Sequence, residues 1–166
     1  MNTSHQTALA EQSHVVHTDG TCKGNPGVGA WAYLIDNPDG TRTEAAGFLP
    51  ETTNNRSELL AVGHALEIIP PGSRVLLRTD SAYVVNNASK WLAVWRSNGW
   101  KTSGKKPVKN RDLWERLDAL METREVTFQH VPGHSGVPGN ERADELANEA
   151  TKDCASIGPF TFTIEQ

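Results

Sequence analysis

The sequence predicts an α/β fold with one mixed β-sheet and helices on both of its faces. Three observations carry that expectation. Apolar runs of strand length end in breakers or in Asp-Gly and Thr-Asp pairs, and other stretches switch to a helical period. The predicted order, βββαβααβα, also contains a short, apolar "RVLLRTD" that suits a parallel strand reached by a helical crossover. At 166 residues the chain is long enough for one domain that buries roughly two thirds of its unfolded surface.

Val15 and Val16 begin the first strand, which Asp19-Gly20 is expected to end. "GVGAWAYLID" reads as the second strand and "NPDGT" as a hairpin turn into a third strand running through Phe48. In "TTNNRSELLAVGHALEII" the residues Leu59, Val62, Leu66 and Ile69 recur at helical spacing, with Thr/Asn caps before them and Pro70-Pro71-Gly72 after. "RVLLRTD" follows as a buried strand. One helical region then carries Trp91, Trp95 and Trp100, and the polar loop "GWKTSGKKPVKN" separates it from "RDLWERLDALME", whose Leu113, Leu117 and Leu120 share a face. "EVTFQHV" alternates as a fifth strand, "PGHSGVPGN" is a flexible loop, and "ERADELANEATK" is a last helix with Ala143, Leu146, Ala147 and Ala150 on its apolar side. Residues 1–13 are expected as a flexible tail, 14–153 as the one folded domain and 154–166 as a second tail.

Cys22 and Cys154 stand alone, without a CxxC pair or a Cys/His cluster, which fits reduced thiols and a cytoplasmic location. "LLAVGHALEII" is interrupted by Gly63, His64 and Glu67 and is too short for a membrane span. The formal net charge of −4 hides a local polarity: Lys90 to Arg111 holds seven basic residues and no acid, leaving −11 on the rest. That segment is the candidate electrostatic footprint for a polyanion.

Asp19 and Asp80 each end an apolar run, and this strand order makes them candidates for neighbouring strand ends, where α/β folds place ligands. Glu58 falls in the first turn of the helix after the third strand, and Asp144 in the first turn of the last helix. Each also has a structural role open to it. Asp19-Gly20 can be a turn, Asp80-Ser81 a helix cap, Glu58 the acid of a capping box begun by Asn55, and Asp144 a helix-dipole partner. If the four converge, unit charges about 5 Å apart at an effective dielectric near 20 repel by roughly 3 kcal/mol per pair. Cations must then be present. Oxygen ligands without a Cys/His set favour Mg2+ or Mn2+ over zinc, and a two-ion clamp on an in-line phosphoryl displacement uses such a site best.

Five blocks in order, "TDGTCKGNPG", "TTNNRSEL", "TDSAYV", "GWKTSGKKPVKNRDLW" and "VPGHSGVPGNERADELA", resemble the bacterial type 1 ribonuclease H family over about His14 to Asp153. The resemblance implies a ribonuclease H-like fold, a five-stranded mixed sheet with helices on both faces. It also implies an endonuclease that hydrolyses the RNA strand of RNA/DNA hybrids, leaving 5′-phosphate and 3′-hydroxyl ends. It assigns Asp19, Glu58, Asp80 and Asp144 to two Mg2+ ions and gives His134 a part in proton transfer or product release, in keeping with an imidazole's pKa. His130 and His134 are spaced i, i+4, but Pro132 and Gly133 between them exclude the helix that a zinc pair would need.

RNA differs from DNA by 2′-hydroxyls displayed in a wide minor groove, a surface that short amides suit. By the resemblance, Asn25, Asn54 and Asn55 contact that groove, while Thr53 and Asn110 grip a DNA-strand phosphate. Lys105, Lys106 and Lys109 belong to the basic segment that would track the backbone, and Trp91 and Trp95, at helical spacing, are expected as core. Two positions depart from the family: Ala82 stands where glutamine is usual, and "WRSNGW" is less basic than many relatives. A hybrid-binding module without catalysis would be expected to lack an acid, and all four are present. A transposase or integrase core would need further end-binding domains. The chain is expected to act as a monomer, away from membranes.

Overall fold

Alternation along the strands sets the sheet. The computed structural model describes residues 13–164, so residues 1–12 of the expected N-terminal tail lie outside the described residues. Strands β1 (His14–Cys22), β2 (Gly27–Asp36) and β3 (Thr41–Thr52) form an antiparallel meander, and β4 (Arg74–Thr79) and β5 (Glu125–His130) add in parallel on the β1 side. The last strand, β6 (Ile157–Thr163), pairs antiparallel with β3, giving the order β5-β4-β1-β2-β3-β6. Among the described residues the sheet therefore has six strands, not five. The last four residues of "IGPFTFT" alternate Phe and Thr, and the Thr43 and Thr161 hydroxyls hydrogen-bond at 2.9 Å across the β3–β6 pair. A segment expected as a tail is thus an edge strand.

Helices α1 (Asn54–Ile68), α2 (Ala82–Lys90), α3 (Leu92–Asn98), α4 (Arg111–Glu122) and α5 (Pro138–Asp153) cover the sheet. One core joins Val16, Tyr33, Ile35, Val75 and Leu77 of the sheet to Leu59, Val62 and Leu66 of α1 and to Trp114 and Leu117 of α4. On the other face Ala30, Ala32 and Ala46 meet Leu146, Ala147 and Ala150 of α5. Small side chains on both partners let α5 approach closely.

Several boundaries differ from the sequence reading. The helical region after β4 breaks at Trp91, which caps both α2 and α3 and is 45% exposed, so only Trp95 of that pair is core. Helix α5 begins at Pro138, a ring with φ fixed for the first helical turn, which puts Asp144 in the second turn. Strand β1 continues past Asp19 to Cys22 because β2 still pairs with it, down to Cys22↔Gly29.

Under the start of α5 lies His17, 5% exposed, with neither ring nitrogen hydrogen-bonded among the described residues. Its ring occupies the space that a Cβ on Gly139 would need. Burial, with Arg78 assisting, lowers its pKa to about 4, so the folded chain holds it neutral. A histidine free to protonate near 6.5 when unfolded makes the native state weaker as pH falls from 6.5 towards 4, by about 2 kcal/mol at pH 5. Substituting His17→Phe is expected to raise Tm at pH 5 by about 5 °C and to change it little at pH 8. Equal shifts at the two pH values in thermal melts would show that His17 does not titrate on unfolding.

Candidate active site

The parallel β1–β4 ladder closes at Thr18↔Thr79, and the next residue on each strand is an aspartate. Asp19 stays within β1, held by β2. Asp80 steps off β4 one residue before Ser81, which caps α2 by accepting from the Val84 amide at 3.2 Å. Ser81 does the capping, so Asp80 is not used for it.

Glu58 reaches the same place because α1 rests on β1 at Gly20. A Cβ there would collide with the main chain of Ser57 and Glu58, so only glycine allows this approach. The N-cap of α1 is Thr53, whose hydroxyl accepts from the Arg56 amide at 3.2 Å, and no Asn55–Glu58 capping box is formed. Oxygens of Asp19, Glu58 and Asp80 all lie within 4.8 Å of one another. Asp144 is not among that closely spaced set; brought in by α5, it lies near enough to Asp19 to act on its protonation, and it accepts a hydrogen bond from the Asn148 side-chain amide at 3.3 Å.

Crowding shows in the protonation equilibria. Burial first, then the charge of Asp80 and the hydrogen bond and charge of Asp144, push Asp19 up to about 8, against the stabilising Gly20 amide. Glu58 is raised well above the usual carboxylate range by burial and by Asp19 and Asp80. Its Oε2 is buried without a hydrogen-bond partner among the described residues. An orphaned carboxylate oxygen beside two other carboxylates fits a hard divalent cation, which satisfies the lone pairs and the charge together.

His134, exposed and at φ 53°, sits in the loop between β5 and α5, next to Gly133, where an added Cβ would fall 2.9 Å from Asp80 Oδ2. Asn25 is committed in part: its side-chain oxygen accepts from the Asn54 amide at 2.9 Å, tying the β1–β2 turn to the start of α1. Asn54 and Asn55 are exposed there. Thr53 and Asn110 are linked through Arg56, which donates to Asn110 Oδ1 at 3.3 Å and forks onto Asp112 at 3.1 and 2.9 Å. Asn110 in turn donates to the Tyr83 hydroxyl at 3.1 Å.

Sequence reasoning missed Arg56 as the link between the two, although it stands inside the quoted "TTNNRSEL"; the signal was a cation placed between two polar site residues. Lys105, Lys106 and Lys109 are exposed on the loop after Trp100. That loop is anchored by buried Trp100 and Val108, whose main chains bond at 3.1 Å. Two cations of the basic segment are engaged within the chain. Arg96 donates to the nearly buried Asp118 at 2.9 Å, and Arg111 pairs with Glu115 at 2.6 Å.

Fold and cluster together define an α/β protein with an acidic, cation-suited site at the carboxyl end of adjacent parallel strands. The RNase H family model matches residues 11–152. The chain is 51% identical over 148 residues to the ribonuclease H of Ruegeria sp. (strain TM1040), covering 87% of this chain and 90% of the relative. It is 51% identical over 134 residues to that of Alcanivorax borkumensis, covering 81% and 88%. Among solved structures it resembles LC11-RNase H1 in complex with RNA/DNA hybrid, at 26% identity and a TM-score of 0.64, over 86% of this chain and 99% of the other. RNase H1 of Halobacterium salinarum NRC-1 is similar at 30% identity and a TM-score of 0.63, over 85% and 98%. This chain belongs to the RNase H family.

Proposed function

We propose that this chain hydrolyses the RNA strand of RNA/DNA hybrids as an endonuclease, leaving 5′-phosphate and 3′-hydroxyl ends, with Asp19, Glu58, Asp80 and Asp144 holding two Mg2+ ions. The observation that carries the reading is the set of three carboxylates with oxygens within 4.8 Å, one of them buried and unpartnered. When bound, the ions supply the charge that lets water attack phosphorus in line and lets the 3′ oxygen depart. Every other part belongs to the chain. Gly20 sets the distance between Glu58 and Asp19, and Asp144 stands beside Asp19 as the fourth acid. His134 carries a proton to or from the reacting phosphate or eases product release.

Substrate is held beside that centre by two surfaces. Asn25, Asn54 and Asn55 present amide groups to the 2′-hydroxyl-bearing groove, and Thr53, Arg56 and Asn110 form a phosphate grip against the DNA strand. Lys105, Lys106 and Lys109 follow the backbone. If about four phosphates are neutralised, log affinity falls with log salt at a slope of about −3 to −4. Filter binding of a hybrid between 50 and 200 mM salt measures it, and a flat response would remove the lysine loop from binding.

No helix of the described residues is long and apolar enough to cross a membrane, and we place the enzyme in the cytoplasm as a monomer. The direct test is strand-labelled hybrid, DNA duplex and RNA duplex offered side by side, with and without Mg2+. Cutting of the RNA strand of the hybrid alone, and only with the ion, is expected. Cutting of a DNA duplex, or binding of hybrid without cutting, would overturn the reading.

A further inference from the structure

His130 was set aside in the sequence because no helix could pair it with His134, yet the fold gives it a definite place. It is the last residue of β5 and stands opposite Thr79 in the parallel β4–β5 ladder. That is one step from Asp80. The ladder carries on by one bond, from the Val131 amide to the Thr79 carbonyl at 3.0 Å, and then ends. Asp80 is left between structures: the β4 ladder finishes at Thr79, and the carbonyl that opens α2 is that of Ser81, which accepts from the Val85 amide at 3.2 Å. Its own carbonyl is met by His130 Nε2 at 3.2 Å.

We infer that His130 is a positioning residue for the cation site, its Nε2–H donating to the Asp80 carbonyl and so fixing the main chain from which the Asp80 carboxylate faces Asp19 and Glu58. The inference rests on the carboxylate reading above. Its physical basis is that a single-residue step between a strand and a helix cap has two soft dihedrals and few constraints. On one side, the Thr79 hydroxyl accepts from the Ser81 amide at 3.0 Å. On another, Gly133 closes against Asp80 Oδ2. The His130 bond ties down the carbonyl, which neither of those touches. Donation from Nε2 is available to the neutral Nε2–H tautomer and to the imidazolium alike, so the tie does not depend on a change of charge. Groups that orient a metal-binding side chain without touching the ion commonly govern affinity as well as rate.

Two variants separate this from a plain surface role. His130→Phe keeps a ring and removes the donor, and His130→Gln restores an N–H at similar reach. The first readout needs no substrate: the rise in Tm of the free protein as Mg2+ is titrated. For His130→Phe the Mg2+ concentration giving half of that rise is expected to increase about ten-fold, with the metal-free Tm within about 2 °C of wild type. For His130→Gln it is expected to return to within about two-fold. In turnover at sub-saturating Mg2+, kcat falls for His130→Phe and recovers for His130→Gln, while KM for the hybrid stays constant. An unchanged midpoint in His130→Phe, where wild type responds to Mg2+, overturns the inference and leaves the carboxylate site standing. A rise in KM alone makes His130 a substrate contact and overturns it too. Failure of wild type itself to respond to Mg2+ would bring down the carboxylate reading and this inference together.

Discussion

Asparagine in place of Asp80 is expected to lower Mg2+-dependent hydrolysis of the hybrid by about a thousand-fold, equivalent to about 4 kcal/mol of lost transition-state stabilisation. The far-UV circular dichroism should not change. Asp80 lies one residue beyond β4, its side chain is not the cap of α2, and no core cluster includes it. The substitution therefore removes a proposed cation ligand and half of a repulsive pair without opening a cavity. A second consequence follows from the repulsion. In the absence of divalent ions at pH 8 the variant should melt higher than wild type, because the Asp80 charge is one of those that raise Asp19 and Glu58. A variant that is inactive and also melts lower would have lost activity through its fold, and an active variant would remove Asp80 from the site.

The acids were legible in the sequence because strand ends, caps and glycine turns leave local signals. Asp80 follows an apolar run, and Glu58 follows a run of Thr and Asn residues that start a helix. Their convergence was not legible from spacing alone, since it depends on the parallel register that sets Thr18 beside Thr79 and on Gly20 letting α1 settle onto β1. The end of β1 was misplaced for a related reason: Asp-Gly is a turn signal, but continued pairing with β2 overrides it and runs the strand to Cys22. Strand β6 was missed because one short alternating segment with a proline reads as a tail until an open sheet edge accepts it. Trp91 shows the opposite failure. Its spacing from Trp95 implies a shared buried face, but the helix breaks at Trp91 and turns that ring outward. Periodicity identifies a face only while one helix continues.

Raising the pH from 5 to 8 in the absence of divalent ions is expected to destabilise the folded chain, and Mg2+ is expected to reverse that loss. The sign follows from Asp19. Its folded pKa of about 8 lies above the unfolded value of 3.8, so its contribution to stability is fully present below 3.8 and is lost as pH rises through 8. Glu58 acts in the same direction. His17 acts in the other, weakening the fold only below 6.5, so the metal-free protein should be most stable in mildly acidic solution. A cation that binds only the folded site replaces the protons, and at about 100 times its Kd it adds about 2.7 kcal/mol, or roughly 5 to 10 °C in Tm. At pH 5 protons compete for the same oxygens, and the Mg2+ shift should shrink to about 2 °C or less. Thermal melts at pH 5 and pH 8, with and without 10 mM Mg2+ at matched ionic strength, check this, and Asp19→Asn should melt higher than wild type without Mg2+ at pH 8 and gain little from the ion. Equal Mg2+ shifts at both pH values would mean that the ion stabilises the chain somewhere other than among these carboxylates.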